Sequence, residues 1–143
     1  MTDKKKIGKV TTKLPDCVAK NYHEPNVYKV KTKIVADDEK FMPKYEDQNL
    51  ASIYANMSSS AVLPYRSVLE IDAGFDIEIP IGYRCRLQID SKLASKGMIV
   101  TNPICESGRM VVTVVNCGRD LVTVNHGDCI AKLTIEPIYL IDW

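Results

Sequence analysis

Apolar and polar residues alternate with a two-residue period through most of the chain between Gly74 and Leu133. The alternating runs are short and rich in β-branched residues. They are separated by turn residues at Pro80, Gly82, Gly97, Pro103, Gly108, Gly118 and Gly127. Short strands divided by turns every 8 to 12 positions or so are typical of a β-sandwich or a closed β-barrel. No segment has a clear helical period, so the pattern predicts an all-β domain.

The same alternation extends the prediction to both sides of this region. Residues 26–35 predict a strand with Val30, Thr32 and Ile34 on one face, and with Lys29, Lys31 and Lys33 toward water. Further strands are predicted in the runs LASIYA, AVLP and RSVLEIDAGFDIEIP.

Two hairpins are predicted in the second half of the chain. One joins RCRLQID to GMIVTN, and the other joins Arg109–Asn116 to Leu121–Val124 through CGRD. The last run, AKLTIEPIYLIDW, stays apolar up to Trp143. Because terminal residues normally fray, this run predicts a C-terminal strand that packs on another strand, such as one from a neighbouring subunit.

Composition and charge narrow the class of protein. The 143 residues suit one domain with a proper core; 45% are hydrophobic, 26% are charged, and the formal net charge is +1. This balance gives no global field for nucleic acid or a membrane surface. No apolar run approaches the roughly 18 residues of a membrane span, and no apolar core follows the first lysines as in a secretory signal. We expect a cytoplasmic or virion protein that is not secreted by a signal peptide.

The first 26 residues resemble a basic arm ahead of a domain that spans residues 27–143. Two prolines, Pro15 and Pro25, interrupt any regular element there. The arm is either a solvated tail or a segment that docks on a partner protein surface. Its candidate interaction residues are Lys4, Lys5, Lys6, Lys9, Lys13 and Cys17.

The five cysteines are an odd number without a CxxC pair, and their spacing with the two histidines matches no zinc template. Buried or half-buried free thiols are one interpretation. The other is that some cysteines crosslink subunits in an oxidising medium, with Cys17 as the first candidate.

Three blocks of the chain carry a family resemblance. They are LPYRSVLEIDAGFDIEIPIGY, SKLASKGMIV and VNCGRDLVTVNHGDCIAKLTIEPI, in that order. Together they resemble the trimeric deoxyuridine triphosphatase (dUTPase) and dCTP deaminase superfamily from about Val30 to Ile138. The resemblance implies a jelly-roll-like β-barrel that assembles as a homotrimer, with the C-terminal strand packed on a neighbour.

The resemblance also implies positions for the nucleotide site. The family's first motif, AGxDL, corresponds to LASIYA with Ser52 in place of the aspartate, whereas the similar AGFD at Asp76 lies in a later segment and predicts an exposed strand residue. The Arg-Ser pair of the second motif corresponds to Asp90 and Ser91, followed by Lys92 in place of glycine. The family's arginine is a cation, whereas Asp90 is an anion. For a charge about 4 Å from a phosphate, at an effective dielectric of about 20, this exchange makes phosphate binding less favourable by several kcal/mol.

The later motifs are matched only in outline. The catalytic Asp and the Tyr beneath the sugar have no match in TNPICESGRM, where Glu106 is the one weak candidate for a general base. The fourth motif survives as GDCIAKL, with Cys129 for arginine and Lys132 for glutamine. The glycine-rich lid of the fifth motif has no match before Trp143.

The leading hypothesis from these departures is a catalytically silent homotrimer that serves as a structural or interaction module. A capsid decoration protein held by the basic arm is one form of it. This hypothesis requires no cofactor, no membrane and no nucleic acid.

Two alternatives keep the nucleotide. A divergent nucleotide pyrophosphatase would use magnesium, and a nucleotide sensor would bind without turnover. The nucleotide-binding residues would be Ser52, Ser91, Lys92 and Lys132, with Glu106 as the base if the protein is active.

Overall fold

A computed structural model describes residues 30–46 and 50–143 of the chain. This part of the chain forms eleven β-strands, one short α-helix and one 3₁₀ turn. The strands are β1 (Lys33–Ala36), β2 (Lys44–Tyr45), β3 (Ala51–Tyr54), β4 (Ala61–Leu63), β5 (Val68–Glu78), β6 (Tyr83–Ile89), β7 (Met98–Val100), β8 (Ile104–Cys105), β9 (Gly108–Asn116), β10 (Val122–Val124) and β11 (Cys129–Pro137). The helix α1 spans Ser91–Ser95, and the 3₁₀ turn spans Glu39–Phe41. The all-β prediction is confirmed.

The described strands form two larger sheets and a small one, all with antiparallel pairing. One sheet has the order β1-β5-β9-β7, and the other has the order β2-β3-β11-β6-β8. The third sheet pairs β10 with β4. Strands that are neighbours in sequence repeatedly lie in different sheets, which fits the jelly-roll class.

Residues from both larger sheets build one hydrophobic core. Along β9, Met110, Val112 and Val114 are buried while the residues between them are more exposed. The two-residue period places these side chains on one face, where they pack with Phe75 from β5 and Ile53 from β3. The alternation in the sequence therefore predicted the buried face correctly.

The two predicted hairpins are wrong in their pairing. β6 pairs with β11 and β8, whereas β7 pairs with β9 in the other sheet. β9 and β10 do not pair either, because β10 lies against β4. Alternation identifies a strand and its buried face, but a partner is selected by contacts between distant segments.

Helix α1 interrupts the first predicted hairpin. Asp90 caps it, since its carboxylate accepts a hydrogen bond from the Lys92 backbone N–H at 3.0 Å. A single apolar side chain, Leu93, anchors the helix in the core. Five residues are too few for a helical period to be visible, so the sequence pattern did not reveal it.

The predicted first strand is shorter than expected. Strand β1 begins at Lys33, although the predicted faces agree: Thr32 and Ile34 are half-buried, and Lys31 and Lys33 are exposed. The arm lies outside the described residues, together with its candidates Lys4, Lys5, Lys6, Lys9, Lys13 and Cys17.

The chain leaves the sheet at its C-terminal end. Strand β11 stops at Pro137, and the side chains of Tyr139, Leu140 and Trp143 are 87%, 90% and 103% exposed. Packing of this segment on a neighbouring subunit stays a prediction. No helix in the described part of the chain has the length and apolar character needed to cross a membrane.

Candidate functional site

Strands β3 and β11 bring Ser52 and Lys132 together. The two residues are direct partners in the antiparallel register, so their side chains share one face of the sheet. The Lys132 Nζ donates a hydrogen bond to the Ser52 Oγ at 2.6 Å. Ser52 is fully buried, and the side chain of Lys132 is only 16% exposed. Two of the four predicted nucleotide-binding residues therefore form one contact.

A carboxylate closes this cluster. Glu46 accepts hydrogen bonds from the Ser52 Oγ at 3.3 Å and from the Tyr54 Oη at 2.7 Å. Its Oε2 lies 3.7 Å from the Lys132 Nζ. Tyr54 joins because it follows Ser52 by two positions in β3 and so lies on the same face. Two hydroxyl groups and one ammonium group thus converge on a single anionic group.

The protonation of the cluster follows from these contacts. The hydrogen bond from Tyr54 lowers the pKa of Glu46, and partial desolvation opposes that shift. Desolvation raises the pKa of Tyr54 to about 12, and the Glu46 anion adds to the increase. At neutral pH Glu46 is therefore ionised and Tyr54 keeps its proton, which leaves the hydroxyl available as a donor.

The predicted residues Ser91 and Lys92 lie beside this cluster, at the start of α1. The backbone N–H of Asp90 donates to the carbonyl of Ile130 at 3.0 Å, which holds the helix against β11 two residues before Lys132. Ser91 and Lys92 are both exposed. Cys129 at the start of β11 is near both Asp90 and Lys132, and its pKa is raised by burial and then by Asp90.

The structure gives the Asp90 carboxylate a local partner. The prediction treated this carboxylate as an anion facing the phosphates. In the structure Asp90 is buried, and its carboxylate caps α1 by accepting a hydrogen bond from the Lys92 backbone N–H. Lys132 and the exposed Lys92 supply the positive charge instead.

Glu106 does not join the cluster within its own chain. It follows β8, which pairs with Cys85 and Arg86 near the middle of β6, whereas α1 begins after the end of that strand. The five-residue step from Cys85 to Asp90 is roughly 16 Å along a strand. Glu106 is exposed and lines a surface depression of about 300 Å³ with residues of the β8–β9 segment.

A second charged cluster surrounds Arg109 on β9. Its guanidinium contacts the carboxylates of Asp37, Asp72 and Asp76. The hydrogen bond from Arg109 lowers the pKa of Asp37. The hydrogen bonds that Arg109 donates to Asp37 and then to Asp72 raise the pKa of Arg109. Asp76 is an exposed strand residue here, as predicted, and it belongs to this ion-pair network.

Sequence reasoning missed Glu46 and Tyr54. Tyr54 carried a usable signal, because residues at i and i+2 of a strand share a face with a predicted site residue. Glu46 carried none, since it precedes β3 in a polar, turn-rich segment and reaches the site only through the fold. The Thr32 Oγ1, which lies outside the candidate site, is buried without a hydrogen-bond partner among the described residues. We have no physical account of it.

Comparisons with known proteins agree with this architecture. The family model described as dUTPase matches residues 38–142. The deoxyuridine 5'-triphosphate nucleotidohydrolase of Desulfotalea psychrophila is 31% identical over 110 residues, which cover 71% of this chain and 73% of that protein. The corresponding enzyme of Ehrlichia canis is 28% identical over 110 residues, covering 71% of this chain and 72% of that protein.

Solved structures show the same fold at lower identity. The native dUTPase of EIAV has a TM-score of 0.67 at 15% identity, covering 79% of this chain and 96% of that one. An aspartate-to-asparagine variant of the dUTPase from phage phi11 of S. aureus has a TM-score of 0.66 at 17% identity, covering 80% and 95%. These structures share the β-fold of this chain.

These findings overturn the leading functional hypothesis. The matches to this chain cover almost three quarters of the length of two relatives, and both relatives are nucleotidohydrolases. The prediction of a non-catalytic structural module is therefore wrong. The expectation that the protein is not an enzyme loses its support with it. The prediction treated each departure from a motif as the loss of a function, although Lys132, Ser52 and Tyr54 take part in one polar cluster with Glu46.

Proposed function

Because the chain belongs to the dUTPase family, we propose that it hydrolyses deoxyuridine triphosphate to deoxyuridine monophosphate and diphosphate. The observation that carries the proposal is the contact between Lys132 and Ser52, which puts a cation and a hydroxyl group at one point of the family-matched segment. Such a pair is suited to an oxygen of a phosphate chain.

Three donors would hold the triphosphate. The Lys132 ammonium group supplies charge, and the hydroxyl groups of Ser52 and Tyr54 donate hydrogen bonds to phosphate oxygens. In the structure, all three groups interact with the Glu46 carboxylate instead: the two hydroxyl groups donate hydrogen bonds to it, and the ammonium group forms an ion pair with it. An incoming phosphate takes over these contacts, and the exposed Glu46 side chain moves into solvent at little cost. Charge neutralisation and positioning are the main requirements for cleaving a phosphate chain.

Ser91 and Lys92 would contact the outer part of the same phosphate chain. Both are exposed on the first turn of α1, next to β11. The Lys92 ammonium group adds a second positive charge on a flexible stem, without the planar fork of an arginine. We therefore assign Lys92 to charge neutralisation rather than to fixing the geometry of the phosphorus atom.

The working assembly is proposed to be a homotrimer, as the family resemblance implies. In this assembly Glu106 from one protomer would reach the phosphate site of its neighbour, since it is remote from the site in its own chain. Glu106 would take a proton from the attacking water. The water oxygen bonds to the α-phosphorus, and the bond to the bridging oxygen breaks with its electron pair leaving on diphosphate.

Magnesium would accompany the triphosphate. In nucleotide enzymes Mg²⁺ is usually held by substrate phosphates, water and one or two carboxylates. In the described part of the chain no group of three or more histidine, cysteine or acidic side chains is arranged around a metal position. The carboxylate of the cluster, Glu46, moves away when the phosphates bind, so the ion would be held by the substrate phosphates and water. Bound there, the ion would neutralise phosphate charge.

Diphosphate release from a panel of deoxynucleoside triphosphates with magnesium tests the proposal. We expect release from the deoxyuridine substrate in preference to the others. Loss of at least about 100-fold in kcat is expected for Glu106→Gln, from removal of the base. Glu70→Gln is the matched control, because Glu70 is exposed near the start of β5.

Two results would contradict the proposal. The first is an intact, trimeric wild-type protein that releases no diphosphate from any of these nucleotides. The second is heat of nucleotide binding without turnover, which would identify a sensor instead. Turnover that is unchanged in Glu106→Gln would keep the activity but remove Glu106 from it.

A further inference from the structure

Cys85 of β6 and Cys105 of β8 lie directly opposite each other. They are Cα partners in the antiparallel pairing of the two strands. Two positions further along the strands, Leu87 lies opposite Pro103, and the Leu87 N–H donates a hydrogen bond to the Pro103 carbonyl at 2.7 Å. Hydrogen-bonded pairs recur at every second position, so Cys85 and Cys105 occupy this class of site, with Cα atoms about 5.5 Å apart. Disulfides span Cα separations of about 4.4–6.8 Å.

The two thiols differ in access. Cys85 is completely buried, whereas Cys105 is half-buried at the outermost strand of its sheet. The Cys105 Sγ donates a hydrogen bond to the Asn102 carbonyl at 3.5 Å. The proximity of the two thiols lowers the pKa of Cys105 and raises that of Cys85, and burial adds to the increase at Cys85. The accessible thiol is therefore also the one that ionises first, as required of an attacking sulfur.

The other described cysteines do not compete for this pairing. Cys117 is exposed in the segment between β9 and β10, and Cys129 lies opposite Tyr54 in the β11–β3 pairing. Within residues 30–46 and 50–143, Cys85 and Cys105 are the only two cysteines that lie opposite each other on paired strands.

We propose that Cys85 and Cys105 form a reversible disulfide by exchange with a small-molecule disulfide such as oxidised glutathione. The Cys105 thiolate attacks one sulfur of the small disulfide and releases the other half as a thiolate. Cys85 gives up its proton and attacks the Cys105 sulfur of the mixed disulfide, which releases the second small thiol. Two protein thiols are oxidised, and one small disulfide is reduced to two thiols.

The bond would fasten a weakly held part of the sheet. β8 has two residues and pairs with β6 alone, so its attachment rests on few backbone hydrogen bonds. It leads directly to Glu106 and to the surface depression beside it. Oxidation would tie this edge to the central strands and close the loop that contains α1 and β7. Loop closure restricts the unfolded chain and so stabilises the fold.

Peptide mapping of the full-length protein tests the proposal. The protein is equilibrated with excess oxidised glutathione, blocked with an alkylating reagent and digested with trypsin, which cleaves after lysine and arginine. We expect a linked species of residues 85–86 and 97–109, whose mass is two hydrogens below the sum of its parts. The alkylated forms of the Cys85 and Cys105 peptides should disappear together. The Tm should rise by roughly 5–10 °C and return on addition of dithiothreitol.

Two variants give the comparison. Cys105→Ser should remove the linked species and the shift in Tm, whereas Cys117→Ser should keep both. Cys105→Ala replaces the serine variant if that one folds poorly, and the wild-type peptide map decides the question without any variant. Five free thiols after oxidation, a stable glutathione adduct on Cys105, or linked peptides that contain Cys17, Cys117 or Cys129 instead would each overturn the proposal.

Discussion

The Lys132 Nζ donates a hydrogen bond to the Ser52 Oγ at 2.6 Å across the pairing of β11 with β3. The two residues are 80 positions apart in the chain. Their contact lies at the centre of the candidate site, because Glu46 and Tyr54 attach to it and α1 begins beside it.

Lys132→Met should weaken binding of the deoxyuridine triphosphate. Methionine keeps the apolar stem and removes the charge, so a charge-assisted hydrogen bond worth about 1.5–3 kcal/mol is lost to the phosphate. We expect KM to rise by about 10- to 100-fold. Steady-state kinetics with magnesium measures the change. Lys33→Met is the control, since Lys33 is exposed on β1 in the other sheet. An equal loss in both variants would contradict the assignment.

Glu46→Gln should strengthen binding of the same nucleotide by a few fold. Glutamine has nearly the same shape but no charge, so the phosphate no longer competes with an anion for Lys132 and Tyr54. Calorimetric titration with a non-hydrolysable analogue measures the affinity without turnover. Glu39→Gln should leave it unchanged, because Glu39 is an exposed residue of the 3₁₀ turn. Weaker binding by Glu46→Gln without magnesium would show that Glu46 is a nucleotide contact.

Asp37→Asn should lower the Tm at neutral pH and lose that effect in acid. The hydrogen bond from Arg109 lowers the pKa of Asp37 from its usual 3.8, so its contribution is fully present above 3.8. As the pH falls through the lowered pKa, wild-type Asp37 is protonated and the contribution disappears. The Tm difference between variant and wild type should therefore shrink below pH 3.8. Asp142→Asn, at the exposed C-terminal end, is the control. A difference that grows in acid would reverse the assigned sign.

Gly97→Ala should destabilise the protein more than Gly82→Ala. Both glycines have a φ of +86°, so both substitutions carry the same backbone strain of about 1–2 kcal/mol. A Cβ at Gly97 would lie 2.6 Å from the backbone of Gly118, whereas nothing lies within 4 Å of one at Gly82. The crowding adds about 1–3 kcal/mol at Gly97. Urea unfolding at one fixed protein concentration measures both free energies, and equal losses would rule out the crowding.

Much of the candidate site was within reach of the sequence. The resemblance located Ser52, Ser91, Lys92 and Lys132, and the structure brings Ser52 against Lys132 with α1 adjacent. The sequence did not predict that Asp90 caps α1, because a helix of five residues was not visible in the pattern. The role of a substituted side chain depends on its neighbours, and these were not visible along the chain.

By itself the sequence determined where most of the longer strands lie and which side of them is buried. Alternation is a local property, and successive side chains of any strand point to opposite faces whatever the strand pairs with. Only the tertiary structure decided that β10 lies against β4, that β6 lies beside β11, that Cys85 faces Cys105 and that Glu46 reaches Lys132. These relationships depend on the free energy of contacts between segments far apart in the chain, which no pattern within one segment records.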